Sequence, residues 1–107
     1  TIDKEKFAEL IKSAKEVGYK PMYKVSHIEE EDESLNTYDR YHEMIDVQTF
    51  LREEKDIHVE PMFADERYYR CCISQGYRAV SDEDIIEYTY ESALLSGLLH
   101  ACKSLKK

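Results

Sequence analysis

The segment from Thr89 to Leu105 constrains this chain most. Leu94, Leu95, Leu98, Leu99, Ala101, Cys102 and Leu105 cover a wide sector of a helix, and Ser92, Ser96, His100 and Lys103 leave only a narrow polar stripe. A helix that apolar has to be covered by other elements. Thr89 is a good N-cap, Glu91 suits the positive N-terminal end, and Lys103, Lys106 and Lys107 complement the negative C-terminal end. Gly97 costs about 1 kcal/mol of helix propensity relative to Ala. It lies near the apolar face, so a close approach to a sheet is expected there.

The chain has 107 residues, enough for one domain (residues 1–107) and one modest core. The cover must come from the other elements. Phe7, Leu10, Ile11, Ala14 and Val17 fall on one face of a helix over residues 3–17, with Asp3 as N-cap and Gly18 suited to the left-handed position that ends it. Residues 21–27 alternate and are read as a first strand. A second helical stretch runs from about Asp39 to Lys55. Its apolar residues form two sets, Tyr41, Met44 and Ile45, then Val47, Phe50 and Leu51, and the face drifts between them. Either the helix bends or it starts afresh at Asp46; residues 46–55 are its better-defined part.

Residues 57–63 and 67–74 alternate around Ala64-Asp65-Glu66 and are read as a hairpin. Pairing Ile57 with Ile73 places Val59 against Cys71 and Pro61 against Tyr69 on the inner face. On the outer face it places Glu60 against Arg70, Met62 against Tyr68 and His58 against Cys72. Pro61 cannot donate to a ladder, which predicts an edge strand or a bulge. Residues 75–88 leave two readings open, a short strand near Tyr77–Val80 or a helical turn through Ile85 and Ile86. The expected architecture is α+β, in the order α-β-α-β-β-α, with helices packed on one face of a three-stranded antiparallel sheet of order 1-3-2.

Charge narrows the function. Asp and Glu number 23 against 15 Lys and Arg, a formal net charge of −8. Residues 31–60 carry ten acidic and three basic groups, and the last seven residues are net positive. The balance excludes a general nucleic-acid binder, whose phosphate contacts need clustered Lys and Arg, and speaks equally against an anionic membrane surface. No apolar run approaches the ~18 residues of a membrane-spanning helix. The chain begins at Thr1 rather than Met, which fits removal of a leader or tag. Three Cys without C-x-x-C spacing fit reduced structural thiols and a cytoplasmic setting. Glu29, Glu30, Glu31, Asp32 and Glu33 repel one another and read as a solvated loop.

Chemistry-bearing constellations are sparse. No Gly-rich phosphate loop, nucleophile elbow or H-E-x-x-H occurs. His42 and Asp46 share a helix face, but nothing at metal-ligand spacing completes a site. His58 opposite Cys72 would be a Cys–His couple without a third, orienting group. His100, on the polar stripe, is expected to be exposed. No catalytic residue, cofactor or metal is therefore expected. Nine Tyr without a Trp are unusual. Tyr favours interfaces, and it equally caps a small core with its hydroxyl in water. Tyr38, Tyr41, Glu60, Tyr68 and Arg70 are the candidate interaction surface.

The run from Asp46 to Val59 (DVQTFLREEKDIHV) and the helix Thr89–Lys103 (TYESALLSGLLHACK) together resemble a pattern in small uncharacterised proteins of phages and mobile elements of gut Bacteroides. There a Q-x-W-L-R-E run leads into I-x-V, then a hairpin, then an S/T-Y-E-x-A-L-x-x-G-L helix. The resemblance spans roughly residues 44–105. It departs at Phe50, where the pattern prefers Trp, and in the acidic residues 81–84. It implies a small accessory protein without enzymatic activity.

Three functions follow as expectations. The first is an accessory protein acting through an unidentified protein partner, self-association as a homodimer included. The second is an acidic DNA mimic that inhibits a DNA-binding enzyme through residues 29–33. The third is a small metal-dependent hydrolase using His58, Glu60 and Asp65.

Overall fold

The Asp3 side chain accepts a hydrogen bond from the Lys6 N–H at 3.0 Å, which satisfies an orphan donor of the first turn and starts α1 (Lys4–Glu16). The helix stops where the sequence places a glycine. Gly18 has φ +110°, the Gly18 N–H bonds Lys15 O and the Tyr19 N–H bonds Ala14 O, the paired closure of a Schellman motif. The computed structural model describes residues 2–21, 37–65, 67–76, 78–79 and 85–106. The strand expected at 21–27 and the acidic loop after it therefore fall almost wholly outside the described residues.

The second helix, α2 (Thr37–Lys55), is continuous, so it does not restart at Asp46. Met44, Val47 and Leu51 form its buried face. Arg40 and Glu43 are buried beside them, which explains why the apolar pattern drifts: polar residues occupy part of the inward surface. The Tyr19 hydroxyl donates to Glu43 Oε1, tying the residue just past α1 to the middle helix. Lys55 is followed by Asp56 in the left-handed region, φ +55°. Asp tolerates that conformation at some cost. Asp56→Gly is expected to raise stability by about 0.5 kcal/mol, measured as a small upward shift in the urea midpoint.

The hairpin comprises β1 (Ile57–Asp65) and β2 (Tyr68–Gln75). Its register is offset by two residues from the expected one: Ile57 pairs with Gln75, Val59 with Ile73, Glu60 with Cys72, Pro61 with Cys71 and Met62 with Arg70. The cause is at the tip. A bulge between Phe63 and Asp65 absorbs a residue, and Asp65 pairs with Tyr68 across a tighter turn than the three-residue loop expected. A two-residue offset leaves every side chain on its expected face. Ile57, Val59, Cys71 and Ile73 are buried; Glu60, Met62, Arg70 and Cys72 are exposed. The Gln48 amide donates to Val59 O at 2.6 Å, so α2 covers part of the outer edge of β1.

The strand order also differs from expectation. Order 1-3-2 gives the free side of the central strand to residues 21–27. In the described sheet β3 (Arg78–Ala79) and β4 (Ile86–Glu87) take that side, pairing with opposite ends of β2, and the order is β1-β2-β3. A chain leaving β2 through Gln75-Gly76 returns alongside it with little loop-closure entropy, which favours the local partner. Ile86 therefore belongs to a strand, not to a helical turn.

The chain closes with α3 (Tyr90–Leu105). Thr89 caps it, its hydroxyl accepting from the Ser92 N–H at 3.1 Å. Eight of its residues are buried, Gly97 among them, and α3 packs against α1, α2, β1 and β2. His100 is half-buried rather than exposed. The described residues thus form an α+β fold of three helices and a small antiparallel sheet, with the core between α3, the other helices and the inner face of the sheet.

Candidate functional site

Because all three helices lie on one side, the outer face of the sheet carries the residues left over by strand alternation. His58, Glu60 and Met62 come from β1; Tyr68, Arg70, Cys72 and Ser74 come from β2; Ile86 comes from β4. Across the three strands Met62, Arg70 and Ile86 form one row. Cys72 Sγ donates to Met62 Sδ at 3.3 Å. A surface depression of about 300 Å³ is lined by His58, Glu60, Cys72, Ser74 and Gly76.

The expected interaction residues divide between the two sides of the sheet. Glu60, Tyr68 and Arg70 share the outer face, with Glu60 diagonal to Arg70 rather than directly opposite. Tyr41 is half-buried and packs against the core from α2. Tyr38 lies in the first turn of α2, and its side chain is outside the described residues. Burial pushes the Tyr90 hydroxyl above its ordinary range, and nearby Tyr41 adds to the shift.

The sequence reading missed the strongest surface feature. Among the described residues the large apolar side chains left exposed are Met62, Phe63, Ile86, Tyr88 and Tyr90. Met62 and Ile86 flank Arg70 on the outer face toward the hairpin tip, and Phe63 and Tyr90 lie at the same end on the side of the helices. Phe63 and Tyr69 pack edge to face with ring centroids 5.5 Å apart, and Tyr69 and Tyr90 do so at 6.1 Å. Tyr88 is 83% exposed and Phe63 64%, values that place them outside the core altogether. Composition counts such residues as core; only the placement of the helices shows which end of the sheet stays uncovered.

The thiols behave as strand alternation requires. Cys71 and Cys102 are buried and Cys72 is exposed, and all three are free. Burial pushes the Cys71 and Cys102 thiols up to about 12, which keeps both protonated and unreactive at neutral pH. His58 no longer faces Cys72; it sits opposite Ser74, with Nε2 3.3 Å from Asp56 Oδ1. Asp65 contributes backbone to β1, but its side chain, like residues 29–33, is outside the described residues. Among the described residues no group of three or more His, Cys, Asp or Glu is placed to hold a metal ion, and no helix is long and apolar enough to cross a membrane.

A second depression, of about 560 Å³, lies between the end of α1 and the end of α2. Tyr19 and Phe50 meet there edge to face at 5.6 Å, with Lys20, Glu54 and Lys55 at its margin. No family model, curated protein or solved structure matches the chain.

Proposed function

We propose that this chain is a non-enzymatic accessory protein, of the phage or mobile-element type its sequence resembles, that works in the cytoplasm by binding a protein at the hairpin end of its sheet. The observation that carries the reading is the exposure of Met62 and Ile86 in one row of the outer face, with Phe63 and Tyr90 exposed on the helix side of the same end, when an exposed apolar residue is ordinarily scattered singly. Arg70 stands between Met62 and Ile86 in the same row, and aromatic residues, Met and Arg are the types enriched in the centres of protein interfaces. Tyr supplies contact area at low entropic cost and keeps its hydroxyl for the wet rim.

The reading is tested by capture from a bacterial lysate with three forms of the chain. Wild type and Lys12→Glu, altered on an exposed position of α1, are expected to retain the same partner. Met62→Lys combined with Ile86→Lys is expected to lose at least about tenfold of it, since each truncated or charged hot spot costs 2 kcal/mol or more. Equal retention by all three forms overturns the reading.

A further inference from the structure

We propose that the outer face of the sheet is built to bind a second copy of this chain, face to face about a two-fold axis. The proposal rests on the interaction reading above and names its partner.

Four residues at the centre of the face carry the argument. Glu60 is opposite Cys72 and Met62 is opposite Arg70. The acid and the base therefore occupy the ends of one diagonal of a four-residue cell, and two sulfur side chains, in contact at 3.3 Å, occupy the other. A two-fold axis in the plane of the face, close to the line of the sulfurs, exchanges the ends of the charged diagonal. Glu60 then faces the partner's Arg70, and Arg70 faces the partner's Glu60. Residues on the axis meet themselves, Cys72 against the partner's Cys72 and Met62 against the partner's Met62. Each charge then faces one of opposite sign across the axis, and the centre is apolar.

The chain's overall charge sharpens the point. At net −8 two copies repel, so they associate only through a contact that is locally neutral or better. The Glu60–Arg70 cell is neutral, and Ile86, beside Arg70, extends its apolar part. The size of the face sets the strength. β1 and β2, with the two-residue β3 and β4 beside them, cover roughly 330 Å² at ~4.8 Å between strands and ~3.3 Å per residue. That is less than half the ~800 Å² per partner of a standard interface, so a micromolar, concentration-dependent dimer is expected.

Sedimentation velocity on the reduced protein from about 10 μM to about 1 mM is expected to show a monomer–dimer equilibrium in this range. Glu60→Arg and Arg70→Glu should each weaken it at least about tenfold, because each sets like charges against each other. The double variant should return to within about threefold of wild type, a rescue that a misfolded chain does not give. Packed sheets lie ~10 Å apart, farther than the ~7 Å between Cα atoms that a disulfide allows. A short bis-maleimide is therefore the suitable cross-linker. It should link dimers through exposed Cys72 and lose that product in Cys72→Ser, since Cys71 and Cys102 are buried. A monomer throughout the range, or a dimer indifferent to both single swaps, overturns the proposal. If such a monomer still captures a lysate protein through Met62 and Ile86, only the homodimer falls; if it captures none through them, the interaction reading falls as well.

Discussion

Gly97→Ala is expected to destabilise the protein by about 2 kcal/mol, although Ala is the better helix former by about 1 kcal/mol. A Cβ at this position would overlap Cys71 Sγ and come within 2.9 Å of Val59 Cγ1. Both neighbours belong to the buried inner face of the hairpin. Such a side chain cannot swing into solvent, so relief requires α3 to move away from the sheet. Overpacking of this kind costs about 1–3 kcal/mol, occasionally more, against which the propensity gain is small. Gly97→Leu is expected to prevent folding outright.

The cause can be isolated by a double-mutant cycle. Cys71→Ala alone loses buried sulfur and should cost about 1 kcal/mol or more. Combined with Gly97→Ala, it leaves the space that the new methyl needs, so the pair should be more stable than the sum of the singles by at least about 1 kcal/mol. Urea denaturation of the four proteins measures this. Strict additivity would place the strain elsewhere in the helix.

The close approach at Gly97 was legible because a glycine in an otherwise strong helix pattern needs a reason. The same kind of signal fixed both ends of α1 and the cap of α3: Asp3, Gly18 and Thr89 do what their residue types do at helix ends. Hairpin faces were legible from alternation, but the register was not. Two registers that differ by two residues bury the same side chains, and the choice between them lay in a bulge at Phe63–Asp65 that carries no glycine to announce it.

The middle helix failed differently. Arg40 and Glu43 are buried, where a periodicity argument assumes apolar residues, and their inward placement is supported in part by Tyr19, distant in sequence. On the candidate site, alternation brought Glu60, Tyr68 and Arg70 to one face correctly. It could not reveal that the helices leave the hairpin end bare, because Phe63, Tyr88 and Tyr90 look like core residues until the position of α3 is known.

Raising the pH from 8 to 11 is expected to remove about 5 kcal/mol of stability, an effect comparable to the whole stability of many small domains. Two buried thiols dominate. Cys71 and Cys102 are raised from the ordinary 9 to about 12 because the protein interior disfavours the thiolate. In the unfolded chain both thiols ionise near 9, while in the folded chain they keep their protons. Below pH 9 the two states bind equal numbers of protons at these groups, and stability is flat. Above it the unfolded state is favoured by about 1.4 kcal/mol per pH unit for each thiol, until the folded-state value near 12 is reached. Tyr19 adds to the slope above pH 10. Burial and the Glu43 carboxylate, which accepts the phenol hydrogen bond, push its ionisation well above the ordinary value. Urea denaturation under reductant, at unit steps from pH 7 to 11, should therefore give a level region followed by a steepening fall. Cys102→Ala should reduce the slope between pH 9 and 11 by about 1.4 kcal/mol per pH unit while costing stability at neutral pH, so its curve should converge on that of the wild type at high pH. A stability at pH 11 equal to that at pH 8 would mean that water reaches both thiols, and that the core between α3 and the sheet is more open than its packing implies.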